Sequence, residues 1–275
     1  LARQHVTVAL TGDGGDELFA GYERFRAARL ASTYSHLPGV AQRAVTAALS
    51  RFSENTDYAG LVRNANRFVR AANLPLDEQY LSWIRYVAST WVVGLLGESQ
   101  ELAVREHYRQ VFGSRPVGSE DDIVSRLLDV NIRSYLPEDL LVKVDRMSMA
   151  ASLEARAPFL DHQLVQYAAA IPTSMKLRRG VKKYILKRAL RGLLPDSIID
   201  RKKHGFGVPV GAWFRTSLVK YARSVLLNPQ AQARGVLNSE VVETMLETHI
   251  AGKADLGHSL WTLLTLELWL QRYFA

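Results

Sequence analysis

Three carboxylates and three glycines fall within seven residues, Thr11-Gly-Asp-Gly-Gly-Asp-Glu17. The run stands directly behind His5-Val-Thr-Val-Ala-Leu10, which reads as a short buried strand. A helix is expected to follow, over Leu18 to Leu30. In α/β proteins a strand, a glycine-rich turn and a helix N-terminus form a phosphate site, because backbone N–H groups and the helix dipole face outward there. Asp13, Asp16 and Glu17 would repel a phosphate unless a cation stood between them. The turn therefore points to Mg²⁺ with a nucleotide or pyrophosphate. A second reading stands beside it: Asp13 or Asp16 is a helix N-cap, and the glycines supply left-handed turn conformations.

A second group of candidates lies far along the chain. Lys183, Lys187 and Arg191 recur at i, i+4 and i+8 of a helix expected over Val181 to Leu194. A lysine fixed on a helix is a suitable point charge for an α-phosphate or a departing pyrophosphate. The plain alternative is a solvated face. Residues 173–203 hold eleven basic residues against Asp196 and Asp200, a local excess of +9. With +8 overall, the rest of the chain carries −1. Charge so confined points to one anionic partner, a polyphosphate or a nucleic acid.

Composition narrows the classes further. The 275 residues are 48% hydrophobic and 23% charged, as in a folded globular protein. With no cysteine, thiolate metal sites, disulfides and cysteine nucleophiles are excluded within this chain, which agrees with a cytoplasmic setting. Trp91-Val-Val-Gly-Leu-Leu96 is among the longest apolar runs and is far too short to cross a membrane. The seven histidines lack zinc-site spacing. There is no Walker A string, no GxGxxG and no G-x-S-x-G elbow.

The elements that position these groups read as mainly helical. Amphipathic helices are expected across 40–112, one of them starting at Asn73-Leu-Pro-Leu-Asp77. Ser119-Glu-Asp-Asp122 opens another helix, with Asp122 three residues after Ser119 in a capping-box-like arrangement and Ile123, Leu127 and Val130 on its face. Pro137 starts another helix, with Leu140, Leu141, Val144, Met147 and Ala151 as its apolar stripe. Opposite charges in Asp145-Arg146 and Glu154-Ala-Arg156 read as internal ion pairs, and Pro158-Phe-Leu160 as buried. Asp161 caps a helix over His162 to Ala170, ended by Ile171-Pro172. Gly205 to Pro209 reads as a loop, and Leu260 to Leu270 as an apolar packing helix. Strand signals are scarce beyond residues 5–11, leaving one strand that needs a sheet from elsewhere.

Five strings, in order, carry a resemblance. Thr11-Gly-Asp-Gly-Gly-Asp-Glu-Leu-Phe-Ala-Gly-Tyr22 resembles the SGxGxDExFxGY turn of glutamine-dependent asparagine synthetases. Leu136-Pro-Glu-Asp-Leu-Leu-Val-Lys-Val-Asp-Arg-Met-Ser-Met-Ala150 is similar to their long central helix, and Ser152 to Asp161 to the segment after it. Lys182-Lys-Tyr-Ile-Leu-Lys187 and Arg201-Lys-Lys-His-Gly-Phe-Gly-Val-Pro209 match two more. Residues 35–115 carry no recognisable motif.

The resemblance implies an ATP-pyrophosphatase type α/β fold, of which this chain is a mostly helical part with one sheet strand. It also implies a reaction. MgATP adenylates the side-chain carboxylate of aspartate, releasing pyrophosphate, and ammonia then displaces AMP to give asparagine. Asp16 matches the family aspartate that helps hold Mg²⁺ on the pyrophosphate. Gly12, Gly14 and Gly15 fall in the nucleotide-binding turn. Lys183 matches the lysine that stabilises phosphoryl charge as pyrophosphate leaves, so function is favoured for Lys183 and not for Lys187 or Arg191. Asp13 stands where many members have glutamate, thought to orient the second half-reaction. Thr11 replaces the usual serine. Lactam-forming relatives tend to have tyrosine at position 13, so an acid there favours ammonia as acceptor.

Residues 1–275 thus resemble the C-terminal part of a synthetase domain. The SGGxDS pyrophosphate loop and the glutaminase domain that supplies ammonia are not in this sequence, which begins with Leu rather than Met. The chain alone is expected to be inactive. The parent is expected to be a glutamine amidotransferase of asparagine biosynthesis, with neither nucleic acid nor membrane as partner; a homodimer is compatible with it. Two other readings are a same-family amidotransferase acting on a saccharide or peptide, and a basic helical nucleic-acid-binding module. The last explains the +9 segment and leaves the acidic turn unexplained.

Overall fold

The apolar run before the glycine turn does find a partner within the chain. In a computed structural model of the protein, which describes residues 1–50, 65, 68–69, 71–114, 122–201 and 208–274, β1 (Val8–Leu10) pairs in parallel with β2 (Glu154–Arg156). The register sets Val8 against Glu154, Ala9 against Ala155 and Leu10 against Arg156. The ladder continues through Glu154 N to Thr7 O (2.9 Å) and Thr11 N to Arg156 O (2.8 Å). Expecting one strand was therefore short by one. Three residues with charges at both ends carry too little period-2 signal to read as a strand. The expected burial of β1 is also corrected: Leu10 is 75% exposed, because two strands cover little of each other's faces.

The remaining elements are helical. After β1 come α1 (Gly15–Leu18), α2 (Glu23–Ser35) and α3 (Gly39–Ser50). Then follow α4 (Leu76–Ile84), α5 (Ser89–Leu96), α6 (Glu98–Gly113) and α7 (Ile123–Arg133). A π-helical stretch, Leu136–Leu141, leads into α8 (Val142–Ala150) and β2. Beyond a 3-10 turn at Pro158–Leu160 lie α9 (His162–Ala170), α10 (Thr173–Lys176), α11 (Tyr184–Leu190) and α12 (Asp196–Ile199). The chain continues through α13 (Val210–Trp213), α14 (Val219–Leu226), α15 (Pro229–Arg234), α16 (Ser239–Ile250) and α17 (Gly257–Tyr273). No helix among the described residues is long and apolar enough to cross a membrane.

Two compact units divide the chain, Leu1–Tyr80 with Arg109–Lys202, and Leu81–Tyr108 with Lys203–Ala275. In the first unit α1 packs on α7 and α9, and α2 on α7. Leu18, Phe19 and Ala168 are buried there against Ile132, Phe159, Val165, Ile185 and Leu186. The second unit has a broader apolar core. Phe214, Met245, Leu246 and Leu260 are fully buried, joined by Leu95, Val225, Leu256, Leu263 and Leu264. Each full burial of such a side chain contributes about 1.5–3 kcal/mol relative to exposure. His249 belongs to this core, its Nε2 within 2.8 Å of Gly211 O and its Nδ1 accepting from Leu256 N.

Local capping was readable. Asp161 accepts from Gln163 N and Leu164 N, so α9 starts where expected, whereas Asp122, expected inside a helix opened by Ser119, is itself the N-cap of α7 and accepts from Ser125 N (2.7 Å). Ser119 and most of the Gly205–Pro209 string lie outside the described residues. Several boundaries differ. The expected helix over 18–30 is broken: Ala20 turns left-handed at φ 56°, and α2 begins only at Glu23. The helix expected over 181–194 is confined to α11, because Arg178 to Val181 closes a tight turn first. The apolar stripe of the central helix is not buried: α8 has no buried residue, and Met147 is 65% exposed. Pro158 is exposed, with Phe159 and Leu160 half-buried. The Glu154–Arg156 pair forms at 2.8 Å, but on an exposed strand face.

Candidate active site

The turn after β1 separates its three carboxylates onto three different partners. Asp13 Oδ2 accepts from the Thr11 hydroxyl at 2.7 Å. Glu17, 1% exposed, accepts from the Tyr22 hydroxyl. Asp16 Oδ1 lies 2.7 Å from Lys183 Nζ. The capping alternative fails for this turn. The N-cap of α1 is Gly14, at φ 87°, and no side chain caps the helix. With a Cβ 2.3 Å from Leu160 Cδ2, any other residue at 14 would also collide with the segment after β2.

Lys183 reaches Asp16 through an unusual backbone. It is the N-cap of α11 with φ 53° and ψ 34°, a left-handed conformation that costs a non-glycine residue about 1–2 kcal/mol. Its own N–H donates to Phe19 O at 3.0 Å, pinning the lysine to the chain just past α1. Ala20, next to Phe19, is left-handed as well. Gly21 completes the approach: a Cβ there would lie 1.8 Å from Asp16 Oδ1 and 2.5 Å from Lys183 Cε. A Cβ on Gly15 would lie 3.7 Å from Lys183 Nζ. Two strained residues and two close-packed glycines thus surround one ion pair, the pattern of strain held by its surroundings at a functional site.

Behind the pair stands a buried polar wall. Burial pushes the Tyr22 phenol well above its ordinary value, and its hydrogen bond to Glu17 and the charges of Glu17 and Asp16 push the same way. Tyr22 thus remains the proton donor to Glu17. The Arg24 guanidinium lies 4.0 Å over the Tyr22 ring and 4.4 Å over the Tyr135 ring, and donates to Asn131 Oδ1. These contacts fix the start of α2 against α7.

Gly14, Gly15, Asp16 and Lys183 are therefore brought together. Gly12 is exposed, with open space where a Cβ would stand, and no hydrogen bond or ion pair among the described residues joins Asp13 to Lys183. The rest of the expected cationic stripe is engaged elsewhere, Lys187 Nζ at 4.0 Å from Asp200 and Arg191 with Asp196 and Asp200. Sequence reasoning missed the roles of Gly21 and of the Tyr22–Glu17 pair, although both stand in the quoted turn string. For the Phe19 carbonyl and the left-handed Lys183 the sequence holds no signal.

Among the described residues no three His, Cys, Asp or Glu side chains could jointly hold a metal. The donor set suits Mg²⁺ held by one carboxylate and substrate phosphates, not an all-protein cage. Asp16 is such a carboxylate, 20% exposed, beside a lysine 31% exposed.

A profile of the asparagine synthase family matches residues 1–271. The chain is 30% identical to asparagine synthetase [glutamine-hydrolyzing] 1 of Bacillus subtilis, over 98% of this chain and 41% of that protein. It is 31% identical to a putative asparagine synthetase [glutamine-hydrolyzing] of Mycobacterium bovis, over 98% of this chain and 40% of that protein. A more distant match, at 22% over 92% of the chain, is a Penicillium rubens protein named amidase chyE. The chain thus spans about two-fifths of the length of these relatives. With a family profile covering nearly every residue, the chain belongs to the asparagine synthase family.

Proposed function

We propose that this chain is the C-terminal part of an ATP-dependent synthetase domain, of ATP-pyrophosphatase type, in a cytoplasmic glutamine amidotransferase that makes asparagine from aspartate. The pyrophosphate loop and the glutaminase domain would be contributed from outside these 275 residues. The observation that carries the reading is the Asp16–Lys183 pair, held at 2.7 Å by a strained backbone at the glycine turn.

In this reading a carboxylate oxygen of aspartate attacks the α-phosphorus of ATP, and the bond to pyrophosphate breaks. Ammonia then attacks the acyl carbon, the bond to AMP breaks, and the nitrogen loses a proton. Lys183 Nζ supplies fixed positive charge as the pyrophosphate departs, a preorganised donor whose position is set before the reaction begins. Asp16 would hold Mg²⁺, which when bound neutralises phosphate charge. Asp13, kept in place by Thr11, would orient the ammonia step. Gly14, Gly15 and Gly21 let the turn pack closely enough to hold Asp16 and Lys183 together.

The test is ATP–pyrophosphate exchange in the full-length protein that carries this chain. Exchange should depend on aspartate, and Lys183→Ala should lower it about 10²–10³-fold, as for loss of one preorganised charge. Lys187→Ala, whose lysine pairs toward Asp200, should change it little. Exchange driven by a saccharide or peptide carboxylate instead of aspartate would select the same-family alternative. Equal effects of the two lysines would remove Lys183 from the centre.

A further inference from the structure

The basic run of residues 173–203 is not uniform once folded. Lys182 pairs with Glu23, Lys183 with Asp16, Lys187 with Asp200, and Arg191 with Asp196 and Asp200. Arg178 and Arg179 have no carboxylate partner among the described residues. With Arg29 of α2, likewise without one, they line a cavity of about 360 Å³. Ser174, Met175 and Leu177 complete its wall, and no acidic residue lines it.

Two of the three guanidiniums are held in place. Arg29 Nη1 donates to Leu177 O at 3.0 Å. Arg178 Nη1 donates to the Tyr184 hydroxyl at 3.0 Å, its guanidinium 4.9 Å from that ring's centroid. Arg179 takes the first central position of a two-residue turn, at φ 48°, with Gly180 at φ 81°. Reciprocal bonds between Arg178 and Val181, 3.0 and 2.8 Å, close the turn. Such a turn favours asparagine, aspartate or glycine where arginine stands, so the backbone gains nothing from Arg179. Three cations around one cavity also repel one another.

A ligand that resolves both costs is a phosphate-type oxyanion, because planar guanidinium forks match its oxygens in paired hydrogen bonds. We propose that this cavity binds a phosphate or phosphoryl group, at a site separate from the Asp16–Lys183 pair. Arg29, Arg178 and Arg179 grip the oxygens, with the Ser174 hydroxyl within the same wall. Met175 and Leu177 give the cavity an apolar side for the body of a phosphorylated small molecule. The volume falls within the usual range for small-ligand sites. Neither Asp16 nor Lys183 lines it.

The experiment is calorimetric titration of the protein with inorganic phosphate and with glycerol 3-phosphate, at constant ionic strength. Saturable binding is expected, weakened about tenfold or more by Arg179→Gln and by Arg29→Gln, the loss expected for one charge-assisted hydrogen bond. It should persist in Lys183→Ala and in Arg188→Gln, a control cation outside the cavity. The Arg179 side chain makes no hydrogen bond among the described residues, so the thermal melt of Arg179→Gln should match the parent. A tighter phosphomonoester assigns the site to a phosphorylated small molecule, and a tighter inorganic ion to free phosphate. The proposal is overturned by absence of saturable binding, by loss of binding in Lys183→Ala with retention in the arginine variants, or by equal loss in Arg188→Gln.

Discussion

The two compact units hold their buried charges differently. In the first unit the Asp16–Lys183 contact is made from a strained backbone: Lys183 has a positive φ, as do Ala20, Ser152 and Arg179, and these four non-glycine residues with positive φ among those described all lie there. In the second unit, the buried carboxylates sit on regular helices. Glu101 of α6, 3% exposed, accepts from Arg85, Arg105 and Ser89 at 2.6–3.1 Å. Glu267 of α17 is similarly buried against Arg234. The difference separates stored strain from stability. The first unit holds Lys183 where helix geometry would not place it, and the second supplies apolar and ionic cohesion without such departures.

The largest effect expected from breaking this contrast is at Gly21. Gly21→Ala places a methyl group inside van der Waals contact of both Asp16 and Lys183. The pair must separate by an ångström or more, and a displacement of that size costs about 10²-fold in rate. Exchange should fall by that factor, while far-ultraviolet circular dichroism stays native. Unchanged exchange would show that the 2.7 Å pairing is not what activity needs.

Legibility in the sequence followed the same division. The glycine turn and the Asp161 cap rest on local residue chemistry, and each is visible in a short string, whereas the preference for Lys183 over Lys187 rests on the family resemblance and not on the stripe itself. The α11 boundary was not legible, because Arg179 and Lys183 adopt left-handed angles that their residue types do not announce. β2 was missed because Glu154-Ala-Arg156 is short and exposed, and its pairing with β1 is a contact across more than a hundred residues. The stripe of Leu140, Leu141, Val144, Met147 and Ala151 is legible but its burial is not, because helical periodicity predicts a face but not whether anything covers it.

A smaller effect is expected in the second unit, and on stability alone. Burial pushes the Glu101 carboxyl up, but hydrogen bonds from Ser89, Arg105 and Arg85 and the Arg85 charge outweigh it, so its pKa lies below the ordinary value. In the unfolded chain the group titrates near its ordinary value of about 4.3. Between the two values the unfolded state binds more protons, so this contribution is full above pH ~4.3 and is lost as pH falls through the lower folded value. Glu101→Gln should lower stability at pH 7 by about 1.5–3 kcal/mol, since it weakens charge-assisted hydrogen bonds from Arg85 and Arg105, themselves 15% and 38% exposed. It should also flatten the acid limb of the melting temperature against pH. An acid limb as steep as the parent's would place the titrating group elsewhere.

The central claim, that Asp16 and Lys183 form the reaction centre, is tested most directly at Asp16. Asp16→Asn exchanges an anionic oxygen ligand for a neutral one of the same shape. If Asp16 holds Mg²⁺ on the pyrophosphate, ATP–pyrophosphate exchange measured against Mg²⁺ should fall and shift to higher metal concentration. The thermal melt should change little, because no side chain caps α1 and the pair is partly exposed. A variant with the parent's Mg²⁺ dependence and activity would contradict the claim.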